Sequence, residues 1–312
     1  MRIIVLSFCM LFGLTSLGQI HEQEIELYTS NDTLHGSKMK PYPVGKPDVV
    51  LMISGSGPTD RDGNNTRMKN NSLKMLAEGL AEQGYATIRF DKRGVAKSAS
   101  SLKDEHSLRF ETYVNDVVSW IDSIRNSEEF SKIFVLGHSE GSLIGMLASQ
   151  QSKVDGYISV AGPGFPAGQV IREQLAAQPQ DVIDASSKIL DKLENGKTTD
   201  SIPPLLFALF RPSIQPYLIS WFKYDPSVEI GKLKCPTLII QGTTDIQVKE
   251  EDAQALKMGT SNGRLVLFKN MNHVLKTAPS DRMENIKTYS NPTLPLHKGL
   301  VKSISKYLKK NS

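Results

Sequence analysis

Residues 133–145 read Ile-Phe-Val-Leu-Gly-His-Ser-Glu-Gly-Ser-Leu-Ile-Gly, an apolar strand that runs directly into a Gly-x-Ser-x-Gly pattern. A strand that turns abruptly into a helix strains its backbone, and Gly137 and Gly141 remove the side chains that would collide at the turn. Such a turn exposes the Ser139 hydroxyl at the end of the sheet, above the free N–H groups of a helix N-terminus. The pattern therefore predicts a reactive serine at Ser139.

Two further strands each end near a residue that can assist a serine. Residues 235–245 form a buried-looking strand and a turn that ends on Asp245, and residues 264–273 form a strand followed closely by His273. Serine, aspartate and histidine in this chain order, each just beyond the carboxyl end of a strand, indicate a catalytic triad. His273 would accept the serine proton, and Asp245 would hold the imidazole in the required tautomer.

Each assignment has competitors in the sequence. Asp245 alone would be an ordinary turn residue, and the acids at 250–252 are typical of the first turn of a helix. His297 is the rival to His273, but it follows a Pro-rich loop instead of a strand. His138 adjoins the serine, and we expect its side chain to point into the scaffold in a structural role.

An oxyanion needs hydrogen-bond donors near the serine. One is expected to be the backbone N–H of Glu140, the residue after Ser139. The other is expected to be the N–H of Ser56, in a Gly-rich loop that follows the strand beginning at Val49. Residues 54–64 read Ser-Gly-Ser-Gly-Pro-Thr-Asp-Arg-Asp-Gly-Asn, and their charged side chains could lock a loop that would otherwise be simply an exposed one.

On these motifs the chain resembles α/β-hydrolases of the bacterial serine esterase and serine aminopeptidase-like group. The residues that carry the resemblance are 55–64, 89–94, 137–141, 241–245 and 272–273. Ala96 stands where the group usually has a second glycine. The resemblance implies an α/β fold with a mostly parallel, doubly wound sheet and a helical cap insertion. It also implies acyl ester or short peptide substrates, with no metal and no organic cofactor.

The alternation of elements along the chain agrees with this fold class. A hairpin is expected at 24–39, then a strand at 48–53, a helix at 72–83, a strand at 85–90 and an amphipathic helix at 111–126. Residues 163–231 are rich in proline, so their helices should be short, and they are expected to form the cap. Residues 19–162 and 232–312 would then form the core.

Nine large apolar side chains of the predicted cap suggest, as a set, the lining of an acyl or aromatic pocket. Each of them taken singly is more often part of the cap core than a substrate contact. They are Leu205, Leu206, Phe207, Leu209, Phe210, Tyr217, Trp221, Phe222 and Tyr224.

The first eighteen residues are predicted to be a cleaved signal peptide, because Arg2 is followed by an apolar run and then small residues before Gln19. The run is short for a membrane span, so we expect a periplasmic or secreted protein without stable membrane insertion. An uncleaved anchor is the alternative. The net charge of +4 is modest, and no basic cluster with interleaved aromatics indicates nucleic-acid binding. The oligomeric state stays open.

The sequence thus favours a secreted serine hydrolase that cleaves carboxylic esters through an acyl-enzyme. A peptidase or amidase with the same triad is the near alternative, since Glu173, Asp181, Asp184 and Glu229 could supply an acid that binds a free amino terminus. A non-catalytic binding protein on the same scaffold is the distant one.

Overall fold

A computed structural model describes residues 20–29, 32–41 and 45–312. The predicted signal peptide, residues 1–18, lies outside the described residues. The fold is built on one eight-stranded sheet. Its strands are β1 (Ile20–Tyr28), β2 (Thr33–Pro41), β3 (Val49–Ile53), β4 (Ala86–Phe90), β5 (Ile133–His138), β6 (Gly156–Val160), β7 (Thr237–Gly242) and β8 (Gly263–Phe268).

The sheet is mostly parallel, as the sequence predicts. The strand order is β1-β2-β4-β3-β5-β6-β7-β8. β1 and β2 form an antiparallel hairpin, and β2 pairs antiparallel with β4, whereas every pair from β4 to β8 is parallel. The carboxyl ends of β3, β5, β7 and β8 therefore meet at one edge of the sheet, which is where open α/β sheets place their sites.

Helices cover both faces of this sheet. They are α1 (Ser72–Glu82), α2 (Phe110–Asn126), α3 (Glu140–Gln151), α4 (Ala167–Leu175), α5 (Gln180–Glu194), α6 (Phe207–Phe210), α7 (Gln215–Trp221), α8 (Pro226–Gly231), α9 (Glu250–Gly259), α10 (Arg282–Lys287) and α11 (Leu300–Asn311). The helices predicted at 72–83 and 111–126 are confirmed as α1 and α2.

Alternate residues of β3 enter two separate apolar cores. Leu51 and Ile53 pack with α2, α3 and the helices of residues 163–231, whereas Val50 and Met52 pack with α1 and α11. Successive side chains of a strand point to opposite faces, so a strand buried on both faces reads as a continuous apolar run. The doubly wound arrangement is confirmed.

Residues 163–231 contain α4 to α8 and no strand among the described residues. Prolines stand at the N-caps or first turns of all of these helices but α6, which follows a short 3₁₀ turn begun by Pro204. Proline suits those positions but breaks a helix interior, so the proline-rich sequence gives several short helices.

Candidate active site

Ser139 occupies the turn between β5 and α3 with φ 55° and ψ −126°. This left-handed backbone is rare for a residue with a side chain, and strain of this kind clusters at functional sites. A Cβ on Gly141 would lie 2.5 Å from the Ile53 carbonyl oxygen, and a Cβ on Gly137 would collide with the Gly141 backbone. The two glycines are thus required by close packing, as the sequence suggests.

Asp245 and His273 form a buried hydrogen-bonded pair. His273 Nδ1 lies 2.8 Å from Asp245 Oδ2, and the aspartate side chain is fully buried. The other carboxylate oxygen, Oδ1, accepts hydrogen bonds from the N–H groups of Gln247 (2.8 Å) and Val248 (3.0 Å). The carboxylate is fixed by backbone donors, and this arrangement can hold the Nδ1–H tautomer of the imidazole, with Nε2 free of the proton.

His138 supports this pair from below. Its Nε2 lies 2.8 Å from the backbone carbonyl oxygen of His273, and the two rings pack with centroids 4.8 Å apart. Burial, reinforced by the neighbouring His273, lowers the pKa of His138 to about 3. The ring is therefore neutral and donates its Nε2 proton to that carbonyl, which is the structural role that the sequence predicts.

Ser139 and His273 are not joined by a hydrogen bond in the described part of the chain. Ser139 is partly exposed, whereas His273 is only 5% exposed. The absence of this hydrogen bond is compatible with a catalytic pair, because such hydrogen bonds often form only with substrate bound.

The loop after β3 packs directly on the serine. A Cβ on Gly55 would lie 3.0 Å from Ser139 Cβ and 3.5 Å from Ser139 Oγ. Neither Ser56 N–H nor Glu140 N–H donates a hydrogen bond within the described residues. Both groups remain available as donors, and both residues line one cavity with Ser139.

Charged side chains hold this loop in place. The sequence suggests this role but does not give the contacts. Asp60 Oδ1 accepts the N–H groups of Asp62 (2.9 Å) and Asn64 (2.8 Å). Arg61 donates its N–H to Asp91 Oδ1 (2.9 Å) and its guanidinium to Asp91 Oδ2 (2.7 Å). Arg61 and Asp91 are both buried, so the loop is anchored to the end of β4.

The hairpin β1–β2 reinforces the same anchor. Glu24 accepts a hydrogen bond from Arg61 at 3.0 Å. Arg89, whose side chain is 1% exposed, is held between Glu22 and Asp62. Two guanidinium groups therefore join the hairpin, the end of β4 and the loop.

Lys92 and Glu140 form an ion pair beside the serine. Lys92 Nζ lies 3.0 Å from Glu140 Oε2 and also donates to the Gly55 carbonyl oxygen. Tyr217 Oη of α7 donates to Glu140 Oε1 at 2.6 Å. Sequence reasoning missed these contacts, although Lys92 belongs to the segment 89–94 on which the family resemblance rests.

A cavity of about 410 Å³ opens above Ser139. Its walls come from the loops after β3 and β4 and from residues 163–231. The larger apolar side chains of the wall are Val95, Leu102, Leu108, Tyr113, Val170, Ile171, Leu209, Ile214, Tyr217, Leu218, Trp221 and Val248. A volume in this range is typical of a site for a small molecule.

Known proteins share this fold. Est1E from Butyrivibrio proteoclasticus, solved with ferulic acid bound, superposes with a TM-score of 0.63 at 16% identity, over 92% of this chain and 98% of that one. The esterase Pf2001 from Pyrococcus furiosus gives 0.58 at 16% identity, over 93% of both chains. The chain has the α/β-hydrolase fold.

Two comparisons of the sequence also find similar proteins. The family model described as serine aminopeptidase, S33, matches residues 69–197. Esterase EstD from Thermotoga maritima is 30% identical over 246 residues, which are 76% of this chain and 58% of that protein. The chain thus spans a little over half the length of this curated relative.

Only some of the apolar side chains suggested as a lining contribute to the cavity wall. Of the nine side chains proposed from the sequence, Leu209, Tyr217 and Trp221 line it. Leu206 and Phe210 are buried in the apolar core, and Leu205 and Phe207 are exposed. Phe222 and Tyr224 pack against the core instead. Docking of the short helices decides which face meets the pocket, so the suggested set lines it only in part, and Leu206 and Phe210 take the alternative core role.

The rival residues lie elsewhere. His297 Nε2 lies 2.9 Å from the Lys269 carbonyl oxygen, and it makes no contact with Asp245. The acids at 250–252 begin α9, as expected. No group of three or more potential metal ligands is found in the described residues. Among those residues, no helix combines the length and apolarity needed to cross a bilayer.

Proposed function

We propose that this α/β-hydrolase is a serine esterase that cleaves carboxylic esters through an acyl-enzyme on Ser139. The observation that carries the proposal is the strained serine at the end of β5, with a buried Asp245–His273 pair at the same edge of the sheet. The esterase names of EstD, Est1E and Pf2001 support an ester as substrate.

In the first step, Ser139 Oγ attacks the ester carbonyl carbon while His273 Nε2 removes the hydroxyl proton. The negative charge that develops on the carbonyl oxygen is stabilised by Ser56 N–H and Glu140 N–H. Collapse of the tetrahedral intermediate breaks the ester C–O bond, and the leaving alcohol takes the proton from His273. Water, deprotonated by His273, then attacks the acyl carbon. Collapse of this second intermediate breaks the bond to Ser139 Oγ, which takes the proton back from His273, and the acid is released.

The substrate is proposed to carry a compact apolar or aromatic acyl group. Tyr113 of α2 and aromatic and branched aliphatic side chains of residues 163–231 form a large part of the apolar wall of the cavity that Ser139 lines. Burial of apolar area contributes about 25 cal/mol per Å², so such a group would gain binding energy that a charged group would not.

A free amino terminus, as an aminopeptidase requires, finds no free acid in this cavity. None of Glu173, Asp181, Asp184 and Glu229 lines it. The two acids that do are Glu105, which binds Arg211 and Ser213, and Glu140, which binds Lys92. The hydrogen bond from Arg211 also holds the pKa of Glu105 below its usual range. These pairings favour the esterase over the peptidase.

The test is hydrolysis of p-nitrophenyl esters from acetyl to dodecanoyl by the wild type and Ser139→Ala. Removal of the nucleophile is expected to lower kcat by about 10⁴-fold or more without unfolding the protein. Retention of most activity by the variant would disprove the role of Ser139. Activity on aminoacyl amides alone would favour the peptidase. If a fluorophosphonate probe labels nothing and no substrate is turned over, the scaffold is a binding protein.

We also propose that residues 1–18 are a signal peptide and that residues 163–231 act as a cap on the core formed by 19–162 and 232–312. Mass spectrometry of the protein recovered from periplasm or medium should give a mature chain that begins near Gln19. A cytoplasmic protein that retains Met1 or Arg2 would contradict the export proposal.

A further inference from the structure

Lys92 is a buried lysine placed beside the serine by the end of β4. It is 1% exposed, and its ammonium lies over the Tyr113 ring, 5.2 Å from the centroid. Its hydrogen-bond partners are the Glu140 carboxylate and the Gly55 carbonyl oxygen. Burial of a charge is costly unless its hydrogen-bond partners are well placed. We therefore expect the contacts of the Lys92 ammonium to have a role in the site.

The Gly55 carbonyl and the Ser56 N–H belong to the same peptide group. That group is planar and trans, so its C=O and N–H point in opposite directions. A hydrogen bond that fixes the carbonyl therefore also fixes the direction of the N–H. In the proposed mechanism this N–H is one of the two donors to the oxyanion.

Glu140 links the same ammonium to the second donor. Its carboxylate binds Lys92, and its own backbone N–H, at the start of α3, is the other proposed donor. Tyr217 completes the arrangement from α7 by donating to the free carboxylate oxygen. We call Lys92, Glu140, Tyr217 and the Gly55 carbonyl the Lys92 cluster.

We propose that Lys92 is a positioning residue of the oxyanion hole, holding the Gly55–Ser56 peptide so that Ser56 N–H is aimed before substrate binds. This inference rests on the proposed esterase function. Lys92 touches neither the nucleophile nor the base by hydrogen bond within the described residues. It acts through the peptide group, and loss of its contact leaves that peptide free to rotate.

The test must separate the Gly55 contact from the ion pair, because removal of Lys92 alone leaves Glu140 buried without its cation. Glu140→Gln serves as the reference, since it removes the ion pair and keeps the lysine donor. Lys92→Met in the same background removes the donor as well. Each variant is measured for kcat and KM on the best p-nitrophenyl ester, alongside the wild type and Ser139→Ala.

We expect kcat of the double variant to fall about 10- to 100-fold below that of Glu140→Gln, with KM within about twofold. A trifluoromethyl ketone, which adds to the serine as a tetrahedral adduct, should lose affinity in proportion. The matching methyl ketone should not lose affinity, because it develops little oxyanion charge. If Lys92→Met does not give a cooperative thermal transition, Lys92→Ala in the same background replaces it.

Equal kcat in the double variant and in Glu140→Gln would overturn the inference. So would a loss shared by KM and by both ketones, which would mark collapse of the pocket. Either result would leave the esterase proposal standing as long as Ser139→Ala is inactive and the wild type turns over esters. An inactive wild type would instead disprove the proposed function.

Discussion

The loop that follows β3 and the helices of residues 163–231 face each other across one cavity, but different forces hold them. Buried ion pairs fix the loop, with Arg61 and Asp91 both nearly inaccessible to water. Residues 163–231 carry mostly apolar side chains into the core, and the ion pairs of Arg172 with Asp191 and Glu194 lie at their surface. The loop, which would stabilise the oxyanion charge, is held by ion pairs and hydrogen bonds. The helices of residues 163–231, which would bind an apolar acyl group, are held by apolar packing.

The largest effect is expected in catalysis, at the Asp245–His273 pair, which lies outside both of these regions. Asp245→Asn should lower kcat by about 10⁴-fold, because the amide no longer holds Nδ1–H of His273 in the required tautomer. Steady-state kinetics on a p-nitrophenyl ester measures this loss.

Asp252→Asn is the matched control. Asp252 is also buried and accepts two backbone N–H groups, but it does not touch His273. A comparable fall in kcat for both variants would show that loss of any buried carboxylate harms the enzyme and would remove support for the triad.

Stability should distinguish the two kinds of ion pair. Arg61→Met leaves Asp91 buried without its cation and should lower the free energy of unfolding by about 3 kcal/mol. Arg172→Met breaks exposed pairs, which are screened by water, and should cost about 0.5 kcal/mol. Urea denaturation of both variants provides the comparison, and equal losses would contradict it.

Substrate preference should depend on the apolar wall. Trp221 lines the cavity and stacks on Phe110, with ring planes 1° apart and centroids 5.8 Å apart. Trp221→Ala should lower kcat/KM for the preferred ester about 10-fold and shift the preference toward longer acyl chains.

Phe207 is the control for this prediction, because it lies in the same segment, is 51% exposed and does not line the cavity. Its change to alanine should leave the chain-length profile within about twofold. A profile that moves equally in both variants would place the acyl group elsewhere.

The smallest effect is expected from a buried amine near the histidine loop. Burial lowers the pKa of Lys276 from 10.5 to about 8, and its Nζ contacts only neutral groups, the Leu294 carbonyl and Met75 Sδ (2.9 Å). Between these two pKa values the unfolded chain binds more protons than the folded one. Stability from this group is therefore complete above the unfolded pKa and is lost as pH falls through the folded pKa.

Lys276→Met removes this titration. The free energy of unfolding of the wild type should accordingly rise relative to that of the variant between pH 8 and about 9.5, a window inside the two pKa values. Urea denaturation across that range measures the difference. A constant difference would show that the amine has an ordinary pKa in the folded protein.

The sequence was sufficient to predict the positions that follow directly from a strand end. Ser139, Asp245 and His273 each lie just after the carboxyl end of a parallel strand, and strands are recognisable as apolar runs bounded by turns. The sheet and the helices at 72–83 and 111–126 were predictable for the same reason.

Contacts between distant side chains were not predictable in this way. Lys92 and Glu140 are 48 positions apart, and neither strand pattern nor turn chemistry indicates that they meet. Which of the apolar cap side chains line the pocket was not predictable for a related reason. Prolines shorten the helices of residues 163–231, so periodicity over a few residues does not define which face is turned toward the cavity.

The hairpin β1–β2 has a practical consequence for handling the protein. Its first strand contributes Glu22 and Glu24, which bind Arg89 and Arg61 behind the loop beside the serine. Trimming by a protease, or a cloning boundary placed after residue 24, would remove both acids while leaving every proposed catalytic residue in place. An expressed protein shortened in this way should purify as a folded hydrolase of reduced specific activity, and its N-terminus should be checked before low turnover is attributed to a poor substrate.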